Sequence, residues 1–117
     1  MKPIFNRHGR TIGWLYNGII YDRKNHCRAF IRGSNLFTYN AQHLGIIHRG
    51  IFFDRRGHRI AYMDEASYDP MLPIPEITPP PPIPSSAPKA PAYTFPSQIL
   101  HGSRHWSPMK WETFLDG

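Results

Sequence analysis

The stretch IYDRKNHCRAFIRGSN, residues 20–35, decides the fold, because it is one unit of a frame that continues without insertion. The neighbouring units are IFNRHGRTIGWLYNGI (4–19), LFTYNAQHLGIIHRGI (36–51) and FFDRRGHRIAYM (52–63). In this 16-residue register Phe5, Tyr21, Phe37 and Phe53 share one column, and Gly13, Ala29, Gly45 and Ala61 share another. A unit this short cannot bury its own apolar face and must share a core with its neighbours. Each unit opens on an apolar pair such as Ile20-Tyr21, passes through turn-like residues to Gly9, Asn25, Ala41 or Gly57, and returns through Ile12-Gly13-Trp14-Leu15 or its equivalent. A type I turn closed by a left-handed bulge residue wants Gly or Asn at that turn position, a rule that Ala41 breaks. The returning arms are rich in β-branched and aromatic residues, as strands are. Each unit therefore reads as a β-hairpin, and Asn17-Gly18, Gly33-Ser34 and Arg49-Gly50 supply the turns between units. The fold class is all-β: four 16-residue hairpins, eight strands, in a pseudo-fourfold meander over residues 1–63.

Two details constrain how the hairpins assemble. The small column at Gly13, Ala29, Gly45 and Ala61 implies a close approach to the backbone at one place in every repeat, for which convergence on a fourfold axis would account. The plainer reading is that small residues offset bulky neighbours. The strands are also apolar at successive positions, so both of their faces need cover.

The second half of the chain offers that cover. An acidic connector, 64–69, leads to PMLPIPEITPPPPIP, residues 70–84, which excludes helix and central strand and favours polyproline II. Met71, Ile74, Ile77, Pro80 and Ile83 recur every third residue, matching its three residues per turn, so this apolar edge is expected to pack on the sheet; the alternative is a solvated spacer or a ligand for a proline-reading domain. At ~3.1 Å per residue the run reaches roughly 46 Å, against about 27 Å for the width of a 63-residue domain. It should overhang, bend or reach a neighbour. Residues 85–103 form a Pro/Ser/Ala linker whose Tyr93 and Phe95 are candidates to dock. In the Trp-rich segment 104–117, Ser107 as N-cap, Pro108 at the first helical position and a Trp106–Trp111 staple predict a short helix. Two turns do not stand alone in water. The helix docks on its own domain by default, or else Trp106, Trp111, Phe114 and Leu115 form a protein-interaction surface.

The GxxΦGWΦ and Y-D-R frames, the Ile-Pro tract and the closing Trp106-x4-Trp111-Glu112-x-Phe114-Leu115 resemble the bacterial family described as four-fold β-flower proteins. The resemblance covers nearly the whole chain. It implies a pseudo-fourfold all-β domain with an attached proline tract, and it brings no active-site residues. Asn25 and Ala41, where Gly is usual, and the Ser-Ala-rich linker depart from the pattern.

Charge bears most directly on function. Residues 1–63 hold eleven Lys and Arg against Asp22 and Asp54, a balance of +9, while residues 64–117 hold three against six. The cations gather at hairpin tips: Arg7 and Arg10, Arg23, Lys24 and Arg28, Arg55, Arg56 and Arg59. A fourfold arrangement puts equivalent tips on one rim, so Arg7, Arg10, Arg23, Lys24, Arg55, Arg56 and Arg59 are candidate ligands for nucleic acid or another polyanion. The third tip, Tyr39-Asn40-Ala41-Gln42, is neutral. A solvated set of turns explains the same cations without a ligand.

The remaining chemistry is sparse. The seven histidines include no HExxH, and Cys27 with His43, in one column of adjacent repeats, makes two ligands rather than a site. No metal or other cofactor is expected. Asp22 and Asp54 suit turn formation better than acid–base catalysis, and no nucleophile has a visible base, so the chain reads as non-enzymatic. The single cysteine suits a reducing compartment, and MKPIFNRHGR has no apolar signal region. A cytoplasmic protein without membrane contact is expected. Its partner is a protein or a second copy of itself, giving a homo-oligomer; the alternative is a polyanion.

Overall fold

The computed structural model describes residues 1–95 and 102–117. Eight antiparallel strands follow in chain order: β1 (Lys2–Phe5), β2 (Thr11–Tyr16), β3 (Ile19–Asp22), β4 (Cys27–Arg32), β5 (Asn35–Thr38), β6 (His43–His48), β7 (Ile51–Asp54) and β8 (Arg59–Tyr62). They close into a barrel with sequential neighbours, the four-hairpin meander that the register implies. The closing seam is thin, since β8 returns to β1 at the pair Phe5 and Tyr62.

Turn chemistry explains the tips. Asp22 Oδ1 accepts the N–H groups of Lys24 and His26 at 2.9 and 3.0 Å, and Asp54 Oδ1 does the same for Arg56 and His58. Asn6 and Thr38 take this part at the first and third tips. The ladder then shifts by one residue in every unit, between Ile4 and Phe5 and at the three equivalent places. Gly9, Asn25, Ala41 and Gly57 occupy the left-handed position with φ of 76°, 65°, 64° and 81°. Ala41 thus keeps the turn geometry against its own preference. At the other end Asn17-Gly18 and Arg49-Gly50 have positive φ at both residues, and Gly33 has it at the first, as primed two-residue turns ask.

Two apolar layers result. Inside the barrel, Ile4, Ile20, Leu36 and Phe52 are completely buried with Ala29 and Ala61, and Leu44 and Ile60 pack against them. The short helix α1 (Trp111–Asp116) inserts Trp111, Phe114 and Leu115 into the same cluster and lies against β4 and β8. Outside, the aromatic column is buried by the rest of the chain. Phe5 packs with Tyr62, Leu72 and Trp106, and Tyr21 donates its hydroxyl to the Ser85 carbonyl at 3.1 Å. Tyr93 lies 4.8 Å from Phe37 and 5.9 Å from Phe30, ring centre to ring centre. Gly102 sits against the Phe53 ring, and Ser103 N–H reaches the Gly57 carbonyl at 2.8 Å. Residues 72–95 and 102–106 therefore form a belt that visits the four repeats in order. Residues 96–101 of the expected linker, His101 included, lie outside the described residues.

Four expectations are corrected. The apolar edge of the proline segment faces solvent rather than the sheet: Ile74, Ile77 and Ile83 are 92%, 99% and 88% exposed, and Met71 is exposed too. The segment docks through polar groups instead. Glu76 N–H donates to the Gly9 carbonyl at 2.8 Å, Glu76 Oε1 accepts Thr11 N–H at 2.6 Å, Tyr62 donates to the Pro73 carbonyl and Asn25 to that of Ile83. An extended proline chain makes few internal hydrogen bonds, so its carbonyls are free for the tips to hold. It also curves round the barrel rather than overhanging, within dimensions of 37 × 34 × 21 Å.

At the glycines of the small column, secondly, the close approach is made by a neighbouring strand rather than by convergence on an axis, while Ala29 and Ala61 lie in the inner cluster. A Cβ at Gly13 would fall on the Tyr21 carbonyl and one at Gly45 on that of Phe53, so the close neighbour is the next strand. Thirdly, α1 starts at Trp111, with Lys110 as N-cap, because Lys110 itself is extended; Ser107 Oγ instead accepts Met109 N–H at 3.2 Å. Fourthly, Trp106 and Trp111 do not staple, since one packs outside the barrel and the other inside.

Because Ala41 holds a left-handed φ, Ala41→Gly is expected to raise stability by about 0.5–1 kcal/mol. A thermal melt followed by circular dichroism checks the sign; Gly57→Ala at the equivalent tip moves the midpoint the other way.

Candidate binding surface

The tips at one end of the barrel carry the exposed cations. Arg7 and Arg10 stand on the first, Arg23 and Lys24 on the second, Arg55 and Arg56 on the fourth, all exposed. The third, Tyr39 to Gln42, is uncharged. Arg23 is tethered to its neighbour, Nη1 donating to the Thr11 carbonyl at 2.7 Å. Glu76 brings an opposing charge to this rim; the Thr11 N–H holds its carboxyl below the usual range, aided by Arg10 and Arg23.

Arg59 does not belong to that rim. It is buried, donating from Nη2 to Asp69 Oδ2 at 2.6 Å and from Nε to the Ser103 carbonyl at 3.1 Å. Its own backbone pairs with the belt, N–H to the His105 carbonyl and carbonyl to Ser107 N–H. The sequence carries a signal for this: Arg59 shares its column with Thr11, Cys27 and His43, none of them cationic by rule. Thr11 and Cys27 likewise meet the belt, at Glu76 and Ser85. The Met71 N–H and then the Arg59 guanidinium hold the Asp69 carboxyl below its ordinary value.

Arg28 is also spoken for. It reaches Asp22 at 3.2 Å, Glu112 at 2.5 Å and Asp116 at 2.6 Å, tying α1 to the second tip. Burial pushes Asp22 up, but hydrogen bonds from His26 N–H, Arg28 and Lys24 N–H outweigh it and leave its pKa lowered.

Of the aromatic tail, Trp111, Phe114 and Leu115 are buried in the barrel core and form no protein-docking surface, although an edge of Trp111 lines a cleft beside Trp106. Trp106 is half-buried over the thin seam, bridging Arg59 of β8 while the Arg7 guanidinium lies 6.0 Å from its ring centre. Sequence reasoning favoured an inward isoleucine edge over its alternative, and the structure turns that edge outward. Its threefold period was visible, but the side it faced was not.

Among the described residues no three His, Cys, Asp or Glu side chains gather as metal ligands would. Cys27 Sγ lies 3.6 Å from Ser85 Oγ, whereas His43 Nε2 pairs with Asn35 Oδ1 at 3.1 Å. His101 and His105 stand four residues apart in the chain, a ligand spacing only on a helix; His105 is in non-helical chain and His101 lies outside the described residues.

The closed fourfold array of hairpins, with its belt and plug, agrees with a family comparison. The family described as 4-fold beta flower protein matches residues 2–115. The chain belongs to that family. Searches of the curated proteins and of the solved structures each return no significant match. The β-flower assignment thus covers the repeats, the belt and the helix together, and makes the chain a small β-repeat module. No helix among the described residues is long and apolar enough to cross a membrane.

Removing one partner of the buried pair should cost about 3–5 kcal/mol, so Arg59→Met is expected to shift urea unfolding by that order while Arg55→Ala stays within about 0.5 kcal/mol. Asp69 and Asp22 have lowered folded pKa values, so their stabilisation is present above the ordinary carboxylate pKa of about 4 and is lost as pH falls through the folded values. Urea midpoints measured from pH 7 to pH 2 should be flat at first and then fall, and Asp69→Asn should flatten the fall.

Proposed function

We propose that this β-flower chain is a non-enzymatic protein-binding module whose contact surface is the outer edge of the proline segment. The observation that carries the reading is the exposure of Ile74, Ile77 and Ile83 on a segment held down by its other groups. An isolated exposed isoleucine is ordinary, but a spaced row on one edge invites a partner. The fitting partner is a protein with an aromatic-lined groove of the kind that reads polyproline, because the segment is anchored in advance and little ordering entropy remains to be lost. The single half-buried Cys27 supports work in a reducing compartment such as the cytoplasm.

The test is the triple variant Ile74→Ser, Ile77→Ser, Ile83→Ser, titrated calorimetrically against purified WW and EVH1 domains beside the wild-type chain. The wild type should bind a member of this set and the variant should lose binding while its melting midpoint stays put. Absence of binding in both, or binding that the serines leave intact, sinks the reading. If light scattering instead shows a wild-type dimer that the serines dissolve, the partner is a second copy.

A second reading, polyanion binding, is favoured by six exposed cations on three tips at one end of the barrel. Affinity for a nucleic-acid duplex should then fall steeply with salt and drop on changing Arg23, Lys24, Arg55 and Arg56 to Ala. Salt-insensitive or absent binding would remove it. Arg59 is left out of the set because its loss would report on folding.

A further inference from the structure

Where the chain leaves the belt and turns toward α1, it spans the space beside the first two tips and encloses an open cleft of about 470 Å³. That volume lies within the range of about 300–1,000 Å³ common to small-molecule sites. Ile12, Ile60 and Trp111 line it from the barrel, Trp106 and Met109 from the connecting segment. Arg7, Arg23 and Lys110 also line it, all three exposed. The Arg7 guanidinium lies near the Trp106 ring, and Arg23 commits Nη1 to Thr11 while its other N–H groups remain. The acid in the lining, Glu112, is ion-paired with Arg28, which also reaches Asp22 and Asp116.

Apolar walls with three cations against one ion-paired carboxylate select for one ligand chemistry. We propose that the cleft is a binding site for a small amphipathic organic anion, with a flat apolar body against Trp106 and Trp111 and a carboxylate or phosphate at Arg7, Arg23 and Lys110. A purely apolar ligand would leave the cations without partners, and a simple inorganic anion would leave the walls wet. The proposal rests on neither reading above: it uses a different surface from the isoleucine edge, and although Arg7 and Arg23 also stand on the rim, it needs the apolar walls and Lys110, which the rim lacks.

The probe is 2-naphthoate, with 2-naphthylmethanol as its neutral counterpart, titrated into the full chain by calorimetry and followed by the indole N–H resonances. Naphthoate should bind at one site with Kd below about 1 mM and the alcohol about tenfold more weakly. The Trp106 and Trp111 signals should move while that of Trp14, which does not line the cleft, stays. The double change Arg7→Ala, Lys110→Ala should weaken naphthoate about tenfold or more, roughly 1.4 kcal/mol, and Met109→Trp should fill the cleft and abolish binding. Arg55→Ala, Arg56→Ala at the fourth tip should change nothing. Equal affinity for acid and alcohol, no saturable binding, or an equal loss in the fourth-tip variant would overturn the site.

Discussion

Every strand of this barrel is apolar on both sides, and that constraint generates the rest of the molecule. The inner column, Ile4, Ile20, Leu36 and Phe52, packs round the middle, while the outer column, Phe5, Tyr21, Phe37 and Phe53, points where solvent would be. Burying such a side chain contributes about 1.5–3 kcal/mol. Four of them together rival the whole net stability of a small domain, about 5–15 kcal/mol. The belt and the plug are therefore parts of the fold rather than attachments to it. Leu72, Tyr93, Gly102 and Trp106 cover the outer aromatics, and Trp111, Phe114 and Leu115 fill the inner space.

The thin seam explains the order in which the belt travels. Neighbouring strands within β1 to β8 share three or four paired positions, but β8 and β1 share one. The belt starts beside that seam, with Tyr62 holding Pro73, and finishes there, with residues 105–107 pairing with Arg59 and Trp106 over Phe5 and Tyr62. Lys2 adds a bond to Glu65 just beyond β8. A weak backbone joint is thus crossed by side chains and by a second pass of the chain.

The repeat register made the barrel legible, because period-16 columns translate directly into strands and turns. Even Ala41, which breaks the turn rule, follows its three equivalents, since three obedient units and a shared core outweigh one unfavourable φ. The need for cover on the outer face was legible for the same reason. Its means were not. The isoleucine period suggested packing, yet hydrogen-bond demand from the proline carbonyls decided the contact and turned the isoleucines outward. Arg59 failed in a related way, because a sequence shows that a cation is near a tip but not that Asp69, ten residues on, folds back onto it. The cleft beside Trp106 needs residues from both ends of the chain, Arg7 and Lys110 among them, and no local pattern announces such a place.

The plug has a further consequence for how the chain comes into being. During synthesis the hairpins emerge first and can pair locally, but the barrel interior lacks Trp111, Phe114 and Leu115 until those residues clear the ribosome. Some fifty residues of proline-rich chain separate the two events, and vectorial synthesis runs at about 5–20 residues per second. For the interval of a few seconds that this implies, the nascent repeats form an unfilled cup with greasy walls, the kind of surface that chaperones recognise. A stop codon at Trp111 would make that interval permanent.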